Sequence, residues 1–220
     1  MIIAVGGIKG GTGKTTIATH LAVLHATEGH DTLLVDADEQ GTASLFTALR
    51  NQERAGGAGF TIIKLSGGQV RTELQRLAPK YEVVIIDVGG RDTASQRAAL
   101  SVAHIAIFPF TPSSFDVWTL HQAGELVAEM RSVNPGLAAY SFLNQATPKG
   151  KDNEEAAMIL REEESILYLD CPIVSRKAFR RAADGGQAVI ELKPLDIKAA
   201  NEIRVLFGEV GKPHSRHLAA

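Results

Sequence analysis

The sequence predicts an α/β fold: a single domain with a mostly parallel twisted sheet and helices on both of its faces. Three observations carry this. Short β-branched runs alternate with longer amphipathic stretches, the pattern of βαβ units. Most of the short runs are apolar throughout instead of alternating, as strands buried on both faces are. The first run passes straight into a glycine-rich loop and then an amphipathic stretch, so strand, loop and helix follow one another directly. The 220 residues suffice for one such domain with a full core and only marginally for two.

In chain order, the candidate strands are residues 2–5, 32–36, 60–65, 83–87, 104–108, 139–143 and a short 172–174. Helices are expected to begin near Thr15, Thr42, Gln69, Thr93, Phe115, Asn153, Arg176 and Pro194. Ile17, Leu21 and Leu24 give the first helix its apolar side. Thr111, Pro112, Ser113, Ser114, Phe115 and Asp116 read as a capped helix start. The acidic stretch Glu162, Glu163, Glu164 reads as an exposed helix face, with Met158, Ile159, Leu160, Ile166 and Leu167 on the buried side. The domain is expected over residues 1–210, and residues 211–220, with no periodic apolar face, are expected to be a disordered tail.

Composition narrows the function. No apolar run reaches the roughly 18 residues needed to span a bilayer. The first residues lack the basic leader of a signal peptide, so a cytoplasmic protein is expected. The one cysteine, Cys171, cannot form an internal disulfide or a cysteine metal site alone and reads as a small core residue. Net charge is −2, which argues against coating nucleic acid by bulk charge. The charge is unevenly spread. Lys and Arg against Asp and Glu stand at 12 to 13 over residues 1–150, 2 to 7 over 151–170, and 9 to 5 over 171–220.

The chemistry begins in the loop Gly6, Gly7, Ile8, Lys9, Gly10, Gly11, Thr12, Gly13, Lys14, Thr15, Thr16. Glycines let consecutive N–H groups curl around phosphates, and the helix N-terminus adds the positive end of its dipole. Lys14 is placed to reach the β- and γ-phosphates and Thr15 to offer its hydroxyl to Mg²⁺, so the fold is expected to be a P-loop NTPase binding Mg·ATP. After the second strand come Asp36, Ala37, Asp38, Glu39, Gln40 and Gly41, acids at the carboxyl end of a parallel strand, where ligands bind in open α/β sheets. The run Val83, Val84, Ile85, Ile86, Asp87 is a hydrophobic strand ending in an acid, a Walker B arrangement in which Asp87 holds Mg²⁺. Gly89 and Gly90 can approach a γ-phosphate and move when it leaves, and Arg91 with Asp92 reads as a switch-loop ion pair.

Lys9 is a second lysine at the loop entrance, which an ordinary P-loop does not need. With it, the pattern from Lys9 to Thr16 resembles the deviant Walker A family that includes the ParA and MinD ATPases. The resemblance runs from the first strand to the last helix and is strongest to short, ParF-like partition ATPases, because the chain begins at the first strand with no preceding helix-turn-helix. It implies that Lys9 crosses a dimer interface to the nucleotide of a second copy, so that two ATP molecules are sandwiched in a homodimer. It implies that Asp38 orients the attacking water and that Asp36 belongs to the Mg²⁺ neighbourhood, with Glu39 standing where the family has proline. It assigns Asn144 to the adenine edge, a turn asparagine being the alternative. Thr111 to Ser113 looks like the Thr-Pro-Ser segment of small ParA proteins.

Ser175 to Ala182 is a basic cluster in which Lys177, Arg180 and Arg181 share a helical face, with Arg176 beside them and Phe179 pointing elsewhere. That face is a candidate grip on DNA phosphates. A solvated basic face, or one paired with Glu162, Glu163 and Glu164, is the alternative. The family implies a cycle in which ATP closes the dimer, the dimer binds DNA without sequence preference on the nucleoid, and a ParB-like or other cargo adaptor stimulates hydrolysis. No membrane partner is expected: a MinD-like membrane ATPase needs a C-terminal helix rich in lysine and bulky apolar residues, and residues 201–210 are followed by glycine and proline. A metabolic ligase of the dethiobiotin synthetase type is the other alternative, and it lacks a counterpart of Lys9.

Overall fold

In the computed structural model, residues 1–90, 93–112, 117–148 and 151–212 are described. Arg91 and Asp92, residues 113–116 of the Thr-Pro-Ser segment and most of the expected tail lie outside them. Seven strands form one sheet in the order β3-β2-β4-β1-β5-β6-β7, every pair parallel. They are β1 (Ile2–Val5), β2 (Thr32–Ala37), β3 (Thr61–Lys64), β4 (Val83–Val88), β5 (Ile105–Phe110), β6 (Ala138–Leu143) and β7 (Leu167–Tyr168). The helices are α1 (Lys14–Thr27), α2 (Thr42–Glu53), α3 (Gln69–Leu77), α4 (Ala94–Leu100), α5 (Val117–Arg131), α6 (Asp152–Glu162), α7 (Lys177–Asp184) and α8 (Ile197–Val210).

One core lies on each face of the sheet. Ile3, Val5, Ile85 and Ile107 meet Ile17 and Leu21 of α1, Ala178 and Ala182 of α7 and Ile203 and Leu206 of α8. Ala4, Val84, Ile86 and Phe108 meet Leu74 of α3, Leu100 of α4, Leu126 of α5 and Leu160 of α6. β1, β2 and β4 are buried at every position, which is why their sequences show no alternation.

The structure departs from expectation in three places. The last strand is Leu167–Tyr168, pairing with Tyr140 and Ser141, and residues 172–174 contribute only an isolated bridge between Val174 and Ala146. Between the two, Cys171 N turns back to the Leu169 carbonyl at 2.9 Å, which interrupts the ladder, and Ile173 N resumes bonding at the Leu143 carbonyl at 2.8 Å. The acidic helix α6 ends at Glu162, Glu163 taking an extended conformation, so Ile166 and Leu167 lie beyond it; Met158 is exposed, while Leu160 is buried. α1 is buried on nearly all sides, including Thr19, His20 and His25, because the sheet, α2, α7 and α8 surround it.

Candidate functional site

β1 is the central strand, flanked by β4 and β5, and its carboxyl end opens into the glycine loop. Gly13 is the residue before α1 and holds φ 87°, and Gly11 holds φ 81°, conformations that L side chains avoid. The loop borders a cleft of about 880 Å³ whose other walls are Ala37 at the end of β2 and residues 38–40 after it, Gly89 and Gly90 after β4, Thr93 and Ser95 at the start of α4, and Gln145 after β6. Gly10, Gly11, Gly13, Lys14, Thr15 and Thr16 line the cleft, and Thr12 is buried beneath them. Lys9 is exposed at the rim.

Lys14 is buried, and its ammonium donates to the Lys9 carbonyl at 2.9 Å. Burial lowers its pKa, against the opposing attraction of Asp87 and then Asp38. Asp87 is fully buried, and neither carboxylate oxygen has a hydrogen-bond partner. Burial pushes its pKa up to about 7; the nearby Thr15 hydroxyl and Lys14 moderate the rise, whereas Asp36 and Asp38 add to it. A buried acid left this way is rare in a folded chain, and its chemistry suits holding a cation.

The three acids have different settings. Asp36 sits beside Asp87 in the sheet register, but its Oδ2 accepts from Ser44 N at 2.8 Å and Ser44 Oγ at 2.5 Å, and its Oδ1 accepts from Asp38 N at 3.3 Å. Asp36 therefore holds the start of α2 and the loop between. Asp38 is partly exposed on the cleft wall, accepts from Gln40 N at 3.1 Å, and lies against Gly89, where an added Cβ would sit 3.4 Å from its Oδ1. Gly90 packs backbone to backbone on the glycine loop, an added Cβ there falling 2.8 Å from both the N and Cα of Gly10.

Asn144 is buried and donates to the Thr12 carbonyl at 2.7 Å, so its amide is engaged with the loop. Sequence reasoning missed two companions. Gln96, fully buried in the first turn of α4, accepts from Gly7 N at 3.1 Å, and Gln145 donates to the Gly11 carbonyl at 2.8 Å. Only adjacency to Asn144 hinted at Gln145, and nothing in the local sequence marked Gln96. Missed as well was Arg50, buried in α2, which donates to the carbonyls of Ala58 and Gly186 and to both oxygens of Glu191.

In the basic cluster, Lys177, Arg180 and Arg181 are exposed on α7, and Phe179 turns inward against His20 at 5.4 Å between ring centres. Arg176 precedes the helix and pairs with Glu202 of α8 at 2.5 Å; Arg181 donates to the Pro194 carbonyl at 2.8 Å. The acid that meets the cluster is thus Glu202, and not the 162–164 run. Among the described residues no group of His, Cys, Asp or Glu forms a self-sufficient metal site, and no helix is long and apolar enough to cross a membrane.

Comparison with known proteins agrees with this geometry. The chain is 28% identical over 214 residues to maintenance of carboxysome distribution protein A of Halothiobacillus neapolitanus, covering 94% of this chain and 95% of that one. It is 54% identical over 219 residues to a putative replication protein A of Sinorhizobium fredii, spanning 96% of this chain but 44% of that protein. A solved McdA–ATP complex from Cyanothece shares its fold with a TM-score of 0.75 at 16% identity, covering 93% of this chain and 95% of that one. The model of the CobQ/CobB/MinD/ParA nucleotide binding domain matches residues 3–189, and with the glycine loop, the paired lysines and the strand-end acids in place, the chain belongs to that family.

Proposed function

We propose that this chain is an Mg·ATP-dependent ATPase of the positioning type, which pairs with a second copy when ATP is bound, then binds DNA without sequence preference and moves a cargo whose adaptor stimulates hydrolysis. The observation that carries it is the Asp87 carboxylate, buried without a partner behind a loop whose glycines and Lys14 suit a polyphosphate. The donor set fits Mg·ATP: the Thr15 hydroxyl and Asp87 would hold the ion, directly or through water, and the loop amides and Lys14 the phosphates. When bound, Mg·ATP would supply the phosphoanhydride to be hydrolysed and the positive charge of the ion.

The chain's own residues then divide the work. Lys14 exchanges the Lys9 carbonyl for phosphate oxygens. Asp38, on the wall beside Gly89, orients a water, and Asp36 keeps Asp38 in place through the loop. Lys9, exposed at the rim, reaches the nucleotide of the second copy. Lys177, Arg180 and Arg181 meet DNA phosphates, while Arg176, tied to Glu202, sets the start of α7. A relative named for carboxysome distribution supports a cargo that is positioned.

One set of variants tests the reading. Asp38→Ala should bind Mg·ATP, hydrolyse it slowly and scatter light as a dimer; Lys14→Ala should not bind, and Lys9→Ala should bind as a monomer. Random duplex DNA should be held by the ATP form only, and Arg180→Ala/Arg181→Ala should flatten the salt dependence, since each phosphate contact contributes a slope of about −0.9. Normal turnover in Asp38→Ala, or DNA binding indifferent to nucleotide, rejects the assignment.

A further inference from the structure

We infer that Gln145 is a positioning residue for the phosphate cradle, acting with Asn144 as a brace that aims two loop amides into the cleft; this rests on the nucleotide-binding reading above. Gln145 is the only described non-glycine residue with positive φ, at 53°. A side chain held in that region carries strain and persists where surrounding contacts require it. The contact here is specific. Its Nε2 donates to the Gly11 carbonyl at 2.8 Å, and the preceding Asn144 Nδ2 donates to the next carbonyl, of Thr12, at 2.7 Å. Two adjacent side chains thus grip two adjacent carbonyls of the loop.

The consequence follows from the peptide bond. In a planar trans peptide, the C=O of one residue and the N–H of the next point in opposite directions. Drawing the carbonyls of Gly11 and Thr12 toward the β6 end therefore turns the N–H groups of Thr12 and Gly13 the other way. Glycine loops are soft, because glycine adopts both signs of φ with little preference, and Gly11 and Gly13 both sit at positive φ. An external grip removes that freedom before ligand arrives, which is how preorganised donors gain affinity. The fit around Gly13 is tight as well, since an added Cβ would come 2.4 Å from Asn144 Nδ2. The positive φ of Gln145 lets consecutive side chains, which in an extended strand would point to opposite faces, both reach the loop.

This differs from reading the base. A brace acts on any polyphosphate, whereas a base contact distinguishes ATP from GTP. The test uses calorimetric titration of the full chain with Mg·ATP, Mg·GTP and Mg·tripolyphosphate. Gln145→Gly keeps the backbone conformation and removes the donor; Gln145→Met keeps the length and removes the donor. Both should weaken all three ligands by the same factor, about three- to tenfold for the loss of one hydrogen bond, with the melting temperature of the ligand-free protein unchanged for Gln145→Gly. Unchanged affinities, or a loss confined to the preference for ATP over GTP, overturn the brace. A wild type that binds none of the three overturns the nucleotide reading and the brace with it; a wild type that binds all three beside unaffected variants overturns the brace alone.

Discussion

Asp87 is neutral in the ligand-free protein through much of the acid range, because burial without a partner holds its pKa near 7. In the unfolded chain the same group ionises near 4. Between these values the folded state binds more protons than the unfolded state, so this residue's contribution to stability falls as pH rises from about 4 through 7. Asp87→Asn removes the penalty. Ligand-free Asp87→Asn should therefore resist unfolding better than the wild type at pH 8, by a few kcal/mol at most, and the gain should shrink toward pH 5 while Mg²⁺-dependent ATP binding is lost. Urea titrations of both proteins at the two pH values check this, and a gain that ignores pH would reject the buried-acid account. Gly90 belongs to the same scale. A methyl there meets backbone atoms of Gly10, which cannot rotate away, so Gly90→Ala has to part the two walls of the cleft.

At the scale of elements, α2 is secured at both ends. Asp36 holds its first turn through Ser44, and Arg50 holds its last through Ala58, Gly186 and Glu191. Arg50 is 3% exposed, its pair with Glu191 is bidentate, and Glu191 in turn accepts from Ala188 N, its pKa drawn down against desolvation by Arg50 and that amide. Arg50→Met would strand two carbonyls and a largely buried carboxylate. The expected loss is about 3–5 kcal/mol, as for one partner removed from a buried ion pair, with Arg54, which also reaches Glu191, favouring the lower end. Chemical denaturation measures it. Arg50→Lys should recover little, because an ammonium cannot reproduce the fork that meets both oxygens. A loss below about 1 kcal/mol for Arg50→Met, the range of an exposed pair, would mean that the network is not a structural tie.

For the whole molecule, acid stability is set by histidines that the fold encloses. His20 is buried between α1 and the turn at Val189–Glu191: its Nε2 accepts from Val189 N at 3.1 Å, so the proton sits on Nδ1, which donates to the Thr16 carbonyl at 2.6 Å. His25 lies tilted against Phe207, their ring centres 4.6 Å apart, and leaves Nδ1 without a partner. Desolvation depresses both to about 4. The unfolded chain takes up these protons near pH 6.5 and the folded chain does not, so stability is full above 6.5 and is lost as pH falls toward 4, on the order of 3 kcal/mol for each histidine. The sign is opposite to that of Asp87, and two histidines outweigh one acid. Melting temperature should therefore decline below about pH 6, and His25→Phe, which keeps the ring and removes the proton site, should make that decline shallower. An unchanged acid limb in His25→Phe would discard the assignment.

The amino-acid sequence alone determined what depends on neighbours along the chain. The glycine loop between β1 and α1, the paired lysines at positions 9 and 14, the acids ending β2 and β4 and the unbroken apolar strands are all local patterns, and local sterics and burial periodicity suffice to read them. Two local readings failed: the edge strand formed at Leu167–Tyr168, with the chain turning back at Cys171 onto Leu169 before it meets the β6 end again, and Met158 turned to solvent. What the tertiary structure decided was the division of roles. Asp36 and Asp38 are two residues apart and chemically identical, and only the packing of α2 turns one toward Ser44 and the other toward the cleft. Gln145 reaches the loop across 134 residues, Gln96 across 89, and Arg50 meets Glu191 across 141. Such contacts leave no periodicity in the sequence, because the distance that matters to them exists only after the sheet has brought the carboxyl ends of its strands together.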